Sequence, residues 1–184
     1  MMDVSQMIIE SATKIFEENC TKELIEEAEN GAWAGSLWDI LSETGMILAG
    51  IPEEAGGVGG SVRDTMNILR LAGKYAAPIP LADTMIGNLL LAELGQQAGD
   101  EPLAIALPKS ADDGFKFTRS GDALVVSGKA SGVSWARFAK KLLLIGTLDG
   151  SDVLAVVPAA YGKLQPGTNL AGEARDTVVF EEVS

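Results

Sequence analysis

The spacing of the hydrophobic residues changes near residue 101, and this change constrains the fold more than any other feature of the chain. Before that point apolar residues recur every three to four positions, as in Val4–Phe16, which is the period of an amphipathic helix. After it, short β-branched runs are separated by turn residues. Pro102 marks the boundary, because a proline discourages helix in the residue before it. Helices followed by strands indicate an α+β chain with two domains, residues 1–101 and residues 102–184.

Three further helices are predicted in the first domain from their terminal signals. One covers Ser36–Thr44 and ends at a glycine suited to a left-handed cap. Another begins at Ser61, where the hydroxyl can cap the helix and Asp64 supplies an acid three positions on. The last covers Ala82–Leu94, with three large apolar side chains predicted to face inward: Ile86, Leu89 and Leu90.

The second domain contains five predicted strands and two predicted turns. Arg119–Asp122 and Asp149-Gly150 are the turns, the latter being a residue pair typical of tight hairpins. The strands on either side of these turns and near the end of the sequence are Phe115–Thr118, Ala123–Ser127, Leu142–Leu148, Val153–Val157 and Thr177–Phe180.

Composition excludes several kinds of chemistry. The 184 residues include no histidine and one cysteine, Cys20, which excludes histidine-based triads, intrachain disulfides and multi-cysteine metal sites. The net charge of −12 makes nucleic acid or an anionic membrane an unfavourable partner. The first residues lack the basic and continuously apolar regions of a secretory signal, so a cytoplasmic protein is expected.

A glycine-rich segment, IPEEAGGVGGS at residues 51–61, precedes the helix that begins at Ser61. Its backbone N–H groups could bind a phosphate or carboxylate at the helix N-terminus. Neither of the common nucleotide-binding glycine patterns is satisfied, however, and no lysine follows the glycines. A tight turn that leads the chain into the helix is therefore the favoured interpretation.

Other conspicuous residues also have a structural and a functional interpretation. Gly132–Ala136 resembles a nucleophile elbow, but that motif needs a histidine base, so Ser134 is left as a hydrogen-bond donor to a ligand. A basic patch is formed by Arg137, Lys140 and Lys141. It could be a solvent-exposed region at the start of a strand or a site that binds an anion. The tryptophans could stack on a flat ligand, although core packing is commoner: Trp33, Trp38 and Trp135.

The order of several motifs resembles the acyl-CoA dehydrogenase family. Trp38–Met46 followed by IPEEAGGVGGS is similar to that family's W-x-x-L-x-E-x-G helix and P-E-E-x-G-G-x-G turn. Pro78–Thr84 and the leucine-rich helix after it fit the next segment. Gly121–Lys129 is similar to the hairpin that opens the family's middle β domain, and Asn169–Glu173 with Val178–Phe180 to its closing strand.

This resemblance implies a helical domain followed by a small antiparallel β-barrel or sandwich. It also implies FAD as hydride acceptor and an acyl-CoA thioester as substrate. The residues on the cofactor side would be Leu107, Gly132, Val133 and Ser134. The chain departs from the family at residues 107–113, where T-E-P-x-x-G-S-D is expected, and at Gly132, where the family has a flavin-packing tryptophan. Weak flavin binding is therefore expected.

No residue matches the family's catalytic glutamate, which belongs to a C-terminal helical domain without a counterpart in residues 1–184. The chain alone is therefore predicted to be inactive. Three functions remain open: the flavoprotein portion of an acyl-CoA dehydrogenase, a non-catalytic partner subunit of a heteromeric dehydrogenase that could act on steroid CoA thioesters, and a small-ligand binding module. Self-association, or association with a homologous dehydrogenase subunit, is expected.

Overall fold

The computed structural model describes residues 4–110, 112–121 and 123–183. The chain divides into two compact units, Met1–Asp100 and Glu101–Ser184, called here the helical unit and the β unit. The predicted α+β class is confirmed, because the helices of the first unit are followed by a curled sheet in the second.

Among residues 4–100, which the structure describes, the helical unit contains five α-helices: α1 Val4–Asn19, α2 Lys22–Glu29, α3 Gly35–Glu43, α4 Val62–Lys74 and α5 Leu81–Glu93. Side chains from α1, α3, α4 and α5 meet in one core, whose large members include Phe16, Leu37, Leu41, Ile68 and Met85. Burying each of these contributes roughly 1.5–3 kcal/mol. The terminal signals are confirmed: the glycine after α3 has a φ of 71°, and a capping box joins Ser61 to Asp64 at the start of α4.

Helix α2 is a finding of the structure that apolar spacing does not predict. Of its eight residues only Ala28 is buried, with Leu24 partly buried against the core, and so short a segment gives too few apolar repeats to identify a helix. Its start is fixed instead by Thr21, whose hydroxyl accepts a hydrogen bond from the N–H of Leu24 at 3.2 Å.

The predicted inward face of α5 is wrong for two of its three residues. Ile86 and Leu90 are 39% and 40% exposed. The buried face instead includes Asn88, whose amide donates to the carbonyl of Gly99 at 2.7 Å and accepts from its N–H at 3.2 Å. These bonds satisfy the polar group in the interior. Because α5 is apolar nearly all round, hydrophobic spacing alone could not determine which face is buried.

In the described part of the β unit, seven strands form one sheet: β1 Leu103–Ala106, β2 Gly114–Ser120, β3 Ala123–Ser134, β4 Lys141–Leu148, β5 Ser151–Pro158, β6 Lys163–Gln165 and β7 Arg175–Val183. One edge of β4 pairs with β5, and its other edge pairs first with β1 and then with β2. From β2 the sheet continues in the order β2-β3-β7-β6. The five predicted strands are confirmed, and β1 and β6 are additional. The sheet is mixed where an antiparallel one was predicted, because β4 pairs in parallel with β1 and β2.

Strands β1 and β2 occupy the same edge of β4, one after the other. Ala106 pairs with Leu144, and Phe115, nine residues later, pairs with Gly146, only two positions further along β4. The segment between them therefore leaves the sheet and returns almost to its starting point. It carries Leu107 and the residues that depart most from the family pattern.

Both predicted turns are reversals in the structure. Asp149 and Gly150 have φ angles of 52° and 83°, as a tight hairpin turn of this kind requires. Ser120 pairs with Ala123 across the β2–β3 hairpin, while Asp122 of that turn lies outside the described residues.

Candidate functional site

The glycine-rich segment is a structural turn, and its backbone donors are used within it. The N–H groups of Gly50 and Gly59 donate to the carbonyls of Gly59 and Ile51, and the N–H of Gly57 donates to the carbonyl of Pro52. A Cβ on Gly57 would lie 2.1 Å from the Ile51 carbonyl oxygen, so only glycine fits there. The geometry supports the turn interpretation over anion binding.

The structure brings the loop between β1 and β2 against the end of β3. The loop covers residues 107–113, of which residue 111 lies outside the described residues. Asp113 joins the loop to β3 by hydrogen bonds. Its carboxylate accepts hydrogen bonds from the Ser131 N–H at 3.1 Å, the Ser131 hydroxyl at 2.9 Å and the Lys109 N–H at 3.2 Å. Burial raises the pKa of Asp113, but these hydrogen bonds outweigh it and hold the pKa below its usual value.

Lys109 lies beside Gly132, the position where the family pattern has a tryptophan. Its ammonium donates a hydrogen bond to the Gly132 carbonyl. A Cβ built on Gly132 would lie 3.6 Å from the ammonium nitrogen and 4.0 Å from the Lys109 Cδ. A side chain at position 132 would therefore be in van der Waals contact with the lysine.

The next predicted site residues are engaged elsewhere. Val133 is 1% exposed and packs in the core of the β unit. The Ser134 hydroxyl accepts a hydrogen bond from the Arg175 guanidinium, which also donates to the Glu173 carboxylate at 2.8 Å. Only Leu107, at the start of the loop, presents an exposed apolar side chain.

Trp135 follows these residues with a φ of 56°, a left-handed conformation that is rare for a bulky residue. Its ring is buried and lies 6.0 Å from that of Phe138, centroid to centroid. In the helical unit the rings of Trp33 and Trp38 lie 5.7 Å apart, and Trp38 is buried as well. Packing rather than ligand stacking explains Trp38 and Trp135, as the commoner interpretation predicts.

These positions do not form a platform for the planar flavin ring that the resemblance implies. Gly132 supplies no side chain, Val133 packs in the core, Trp135 is buried, and the Lys109 ammonium lies at the Gly132 carbonyl. Aromatic stacking needs an accessible ring face, and none is offered by residues 132–135. The site residues present do not fit FAD.

A pocket of about 420 Å³ on the β unit was not predicted from the sequence. A row of polar residues from four adjacent strands lines it, ordered by strand pairing as Ser127, Lys116, Thr147 and Asp152. Directly paired residues share one face of a sheet. Pro108 and Ile145 add apolar walls. The alternation of apolar and polar residues along these strands can be seen in the sequence. The strand pairing that places the polar residues side by side cannot be seen there, so the pocket was not predicted.

The basic patch is mostly structural. Arg137 donates to the fully buried carboxylate of Asp176 through its backbone N–H at 2.8 Å and through its guanidinium. The hydrogen bond to Asp176 raises the pKa of Arg137, burial opposes this, and the attraction to the carboxylate adds to it. Lys141 pairs with Glu101 at 2.7 Å. Asp176, which orders this region, was missed because an isolated aspartate in a strand carries no motif.

The described ranges of the chain are 4–110, 112–121 and 123–183. None of their helices is long and apolar enough to cross a membrane. Within the same ranges, the acidic and cysteine side chains form no group that could hold a metal ion.

Comparison with known proteins gives consistent matches. Residues 2–103 match the family model described as acyl-CoA dehydrogenase, N-terminal domain. The acyl-CoA dehydrogenase IpdE2 of Mycolicibacterium smegmatis is 28% identical over all of this chain and 61% of its own length. IpdE2 of Mycobacterium tuberculosis is 29% identical over 85% of this chain and 51% of its own length. The chain thus spans between half and two thirds of these relatives.

Solved structures show the same fold at lower identity. The ChsE4-ChsE5 complex from Mycobacterium tuberculosis superimposes with a TM-score of 0.84 at 20% identity, covering 99% of this chain and 55% of the other. The Tcur3481-Tcur3483 steroid ACAD gives a TM-score of 0.85 at 22% identity, covering 97% of this chain and 55% of the other.

Proposed function

The chain belongs to the acyl-CoA dehydrogenase family, and from that premise we propose that it serves as a supporting, non-flavin subunit of a heteromeric acyl-CoA dehydrogenase. The observation that carries the proposal is the arrangement at residues 132–135, where the lysine and the buried side chains replace a platform for a flavin ring. FAD, the cofactor that the family implies, supplies hydride acceptance when it is bound, and in this proposal another subunit holds it.

The kind of assembly is supported by the structural neighbours. One of them is a complex of two named components, and another is described as a steroid ACAD with a two-part name. We therefore propose a homologous dehydrogenase subunit as the partner and a steroid CoA thioester as the substrate of the assembly. The boundary between residues 101 and 102 is proposed as the border between the two domains that the subunit contributes.

A flavin-loading experiment tests this proposal. The purified chain is mixed with excess FAD, passed through gel filtration and examined for the visible flavin band, then treated anaerobically with a panel of acyl-CoA thioesters. We expect little retained flavin and no bleaching by any thioester, because a flavin-holding surface and a positioned base are both required for the reaction. Near-stoichiometric FAD, or rapid bleaching by the chain alone, would overturn the proposal.

In a second experiment the chain is co-expressed with each tagged homologous dehydrogenase from the genome that encodes it, one pair at a time. The expected result is a stable complex with one of them that retains FAD and is reduced by an acyl-CoA. If every pair separates on gel filtration, the subunit role is rejected.

A second function, direct binding of the acyl-CoA thioester, is favoured by the pocket on the β unit. The pantetheine arm of CoA is a flexible chain that carries amide groups, and the pocket offers hydroxyl groups, one ammonium and one carboxylate between apolar walls. Such a mixture of apolar surface and a few polar groups is typical of small-molecule sites. Lys116 lies in the middle of the polar row and is the residue that sequence reasoning missed.

Calorimetric titration with CoA tests this second function. Lys116→Ala should weaken CoA binding about tenfold, since a charge-assisted hydrogen bond contributes ~1.5–3 kcal/mol. Lys163→Ala removes an exposed lysine of the same unit that pairs with Glu181, and it should leave the affinity unchanged. Equal affinities in all three proteins would argue against the pocket as the binding place.

A further inference from the structure

We propose that Lys109 is the residue that excludes a flavin ring from the end of β3, and that Asp113 positions it by clasping the β1–β2 loop to the strand. The inference rests on the proposed function in one respect, since the excluded ring is the one that the family implies. It goes further by assigning the exclusion to two side chains of this chain, neither of which is among the predicted cofactor residues.

The first step is the fixed position of the loop. Asp113 accepts three hydrogen bonds, from the N–H and hydroxyl of Ser131 and from the N–H of Lys109. The Asp113 N–H donates in turn to the Ser110 carbonyl at 3.1 Å. One carboxylate therefore ties the loop to β3 and closes the loop on itself. Hydrogen bonds to a charged acceptor are stronger than neutral ones, which suits a clasp at the protein surface.

The second step is the direction in which this clasp sends the lysine. With its backbone held by Asp113, Lys109 extends its side chain to the Gly132 carbonyl, 23 residues further along the chain. Its ammonium and Cδ lie within 4.0 Å of the point where a Cβ of residue 132 would be. A planar ring could rest on this strand only after the ammonium had left the carbonyl.

The third step is the lack of an alternative use for this cation. Among the described residues, no carboxylate lies within ion-pair distance of the Lys109 ammonium. Arg175, on the strand that pairs with β3, differs in this respect, because its guanidinium is paired with the Glu173 carboxylate. The lysine is not required to neutralise a buried charge. It lies over the end of β3, where its ammonium donates to the Gly132 carbonyl and borders the position of the absent side chain.

Riboflavin is the appropriate probe, because it carries the ring without the charged pyrophosphate that a cation would attract. Binding is followed by quenching of riboflavin fluorescence in the full chain. We expect Lys109→Ala to bind riboflavin at least tenfold more tightly than the wild type, which corresponds to about 1.4 kcal/mol. Lys109→Arg should bind as weakly as the wild type, because arginine can cover the same carbonyl. Lys140→Ala, which removes an exposed lysine beside the same sheet, is the charge-matched control and should change nothing.

Hydrogen exchange gives the readout for Asp113. In the wild type the amides of Lys109, Asp113 and Ser131 should exchange slowly, and Asp113→Ala should release the first and the last. Fast exchange of these amides in the wild type would overturn the clasp. Should Asp113→Ala fail to fold, the wild-type exchange and the Lys109 variants still decide the matter.

The outcomes separate this inference from the proposed function. Equal riboflavin affinity in the wild type and Lys109→Ala, including undetectable binding in both, rejects the exclusion by Lys109 but leaves the non-flavin subunit role standing. Stoichiometric FAD in the wild type rejects the subunit role. Such binding would also overturn the exclusion, because a flavin ring would then be held with Lys109 in place. If no homologous dehydrogenase forms a complex with the chain while Lys109→Ala binds riboflavin tenfold more tightly, the subunit role is rejected and the inference stands.

Discussion

Asp176 is the residue whose loss should be most costly in the β unit. Its carboxylate is fully buried and accepts hydrogen bonds from Arg137 and from the N–H of Gly167. Removing one member of a buried pair leaves the other charge without compensation and costs ~3–5 kcal/mol. We expect Asp176→Ala to lower the free energy of unfolding by about 3 kcal/mol, measured by urea denaturation.

The control for this prediction is the exposed pair of Lys163 and Glu181, whose side chains are 69% and 63% exposed. Glu181→Ala should change the free energy of unfolding by less than about 1 kcal/mol, since solvent screens such pairs. If the two variants lose the same stability, burial of Asp176 does not have the energetic role assigned to it.

Two glycines of the helical unit should respond in opposite ways to alanine. Gly57→Ala places a Cβ 2.1 Å from the Ile51 carbonyl oxygen, so the turn must distort and the protein should be destabilised. Gly73 lies in α4 with open space around it. Gly73→Ala should therefore stabilise the protein by up to about 1 kcal/mol through helix propensity. Thermal denaturation of both variants, with opposite shifts of Tm, is the measurement.

At the scale of elements, helix α4 depends on the capping box at its start. Asp64 accepts hydrogen bonds from the N–H and the hydroxyl of Ser61, at 2.8 and 2.7 Å. Hydrogen bonding from the Ser5 hydroxyl, and then from that of Ser61, holds the pKa of Asp64 below its usual value, and burial opposes this shift. Ser61→Ala should cost about 1 kcal/mol.

The lowered pKa of Asp64 makes the capping interaction dependent on pH. A carboxylate with a lower pKa in the folded protein contributes stability that is fully present above its unfolded pKa of ~3.9 and is lost as the pH falls toward the folded pKa. We expect the urea midpoint of the wild type to fall below about pH 4 more steeply than that of Asp64→Asn. Parallel acid dependence in the two proteins would contradict this.

Helix α5 and the residue that follows it, Leu94, present an apolar stripe to solvent, formed by Ile86, Leu90 and Leu94. Exposed apolar patches bind hydrophobic dyes and promote association. Replacing Ile86 and Leu90 by glutamine should reduce dye fluorescence and self-association while leaving the Tm nearly unchanged, because neither side chain is buried. A matched double substitution of two buried residues of the same helix, Met85→Gln and Leu91→Gln, should instead unfold the unit. Gel filtration with light scattering reports the association.

Sequence reasoning succeeded where a local physical cause decides the structure. The end of α3 at a left-handed glycine, the cap at Ser61 and the Asp149-Gly150 turn are each determined by adjacent residues. It failed for the buried face of α5, because that helix is apolar nearly all round, and for the parallel pairing of β4, because strand periodicity does not encode pairing direction.

The candidate site was only partly predictable for the same reason. Gly132 was found as a departure from a family pattern and Ser134 as a position that keeps its residue type, but their neighbours Lys109 and Arg175 come from other segments. No spacing rule joins positions 23 or 41 residues apart in sequence. The polar row of the pocket likewise exists only after four strands have been placed in register.

At the scale of the whole molecule, charge is divided unequally between the two halves of the sequence. Residues 1–101 carry 17 acidic and 5 basic side chains, whereas residues 102–184 carry 9 of each. Like charges destabilise a compact state, and salt screens them over ~10 Å at 0.1 M. Raising NaCl should therefore slow hydrogen exchange in peptides of the helical unit and change the β unit little. An equal response of both units would contradict this electrostatic explanation.

The way in which β1 and β2 share one edge of β4 has a consequence for how this protein can evolve. The two strands are nearly one interrupted strand, since nine residues of sequence advance the pairing by only two positions. Insertions or deletions at the interruption leave every other strand in register, and doubling the length of a flexible loop costs only about 0.6 kcal/mol. Lineages can thus lengthen, shorten or rewrite this segment while the rest of the architecture stays under unchanged selection. Chimaeras that exchange the segment between paralogues should therefore remain folded.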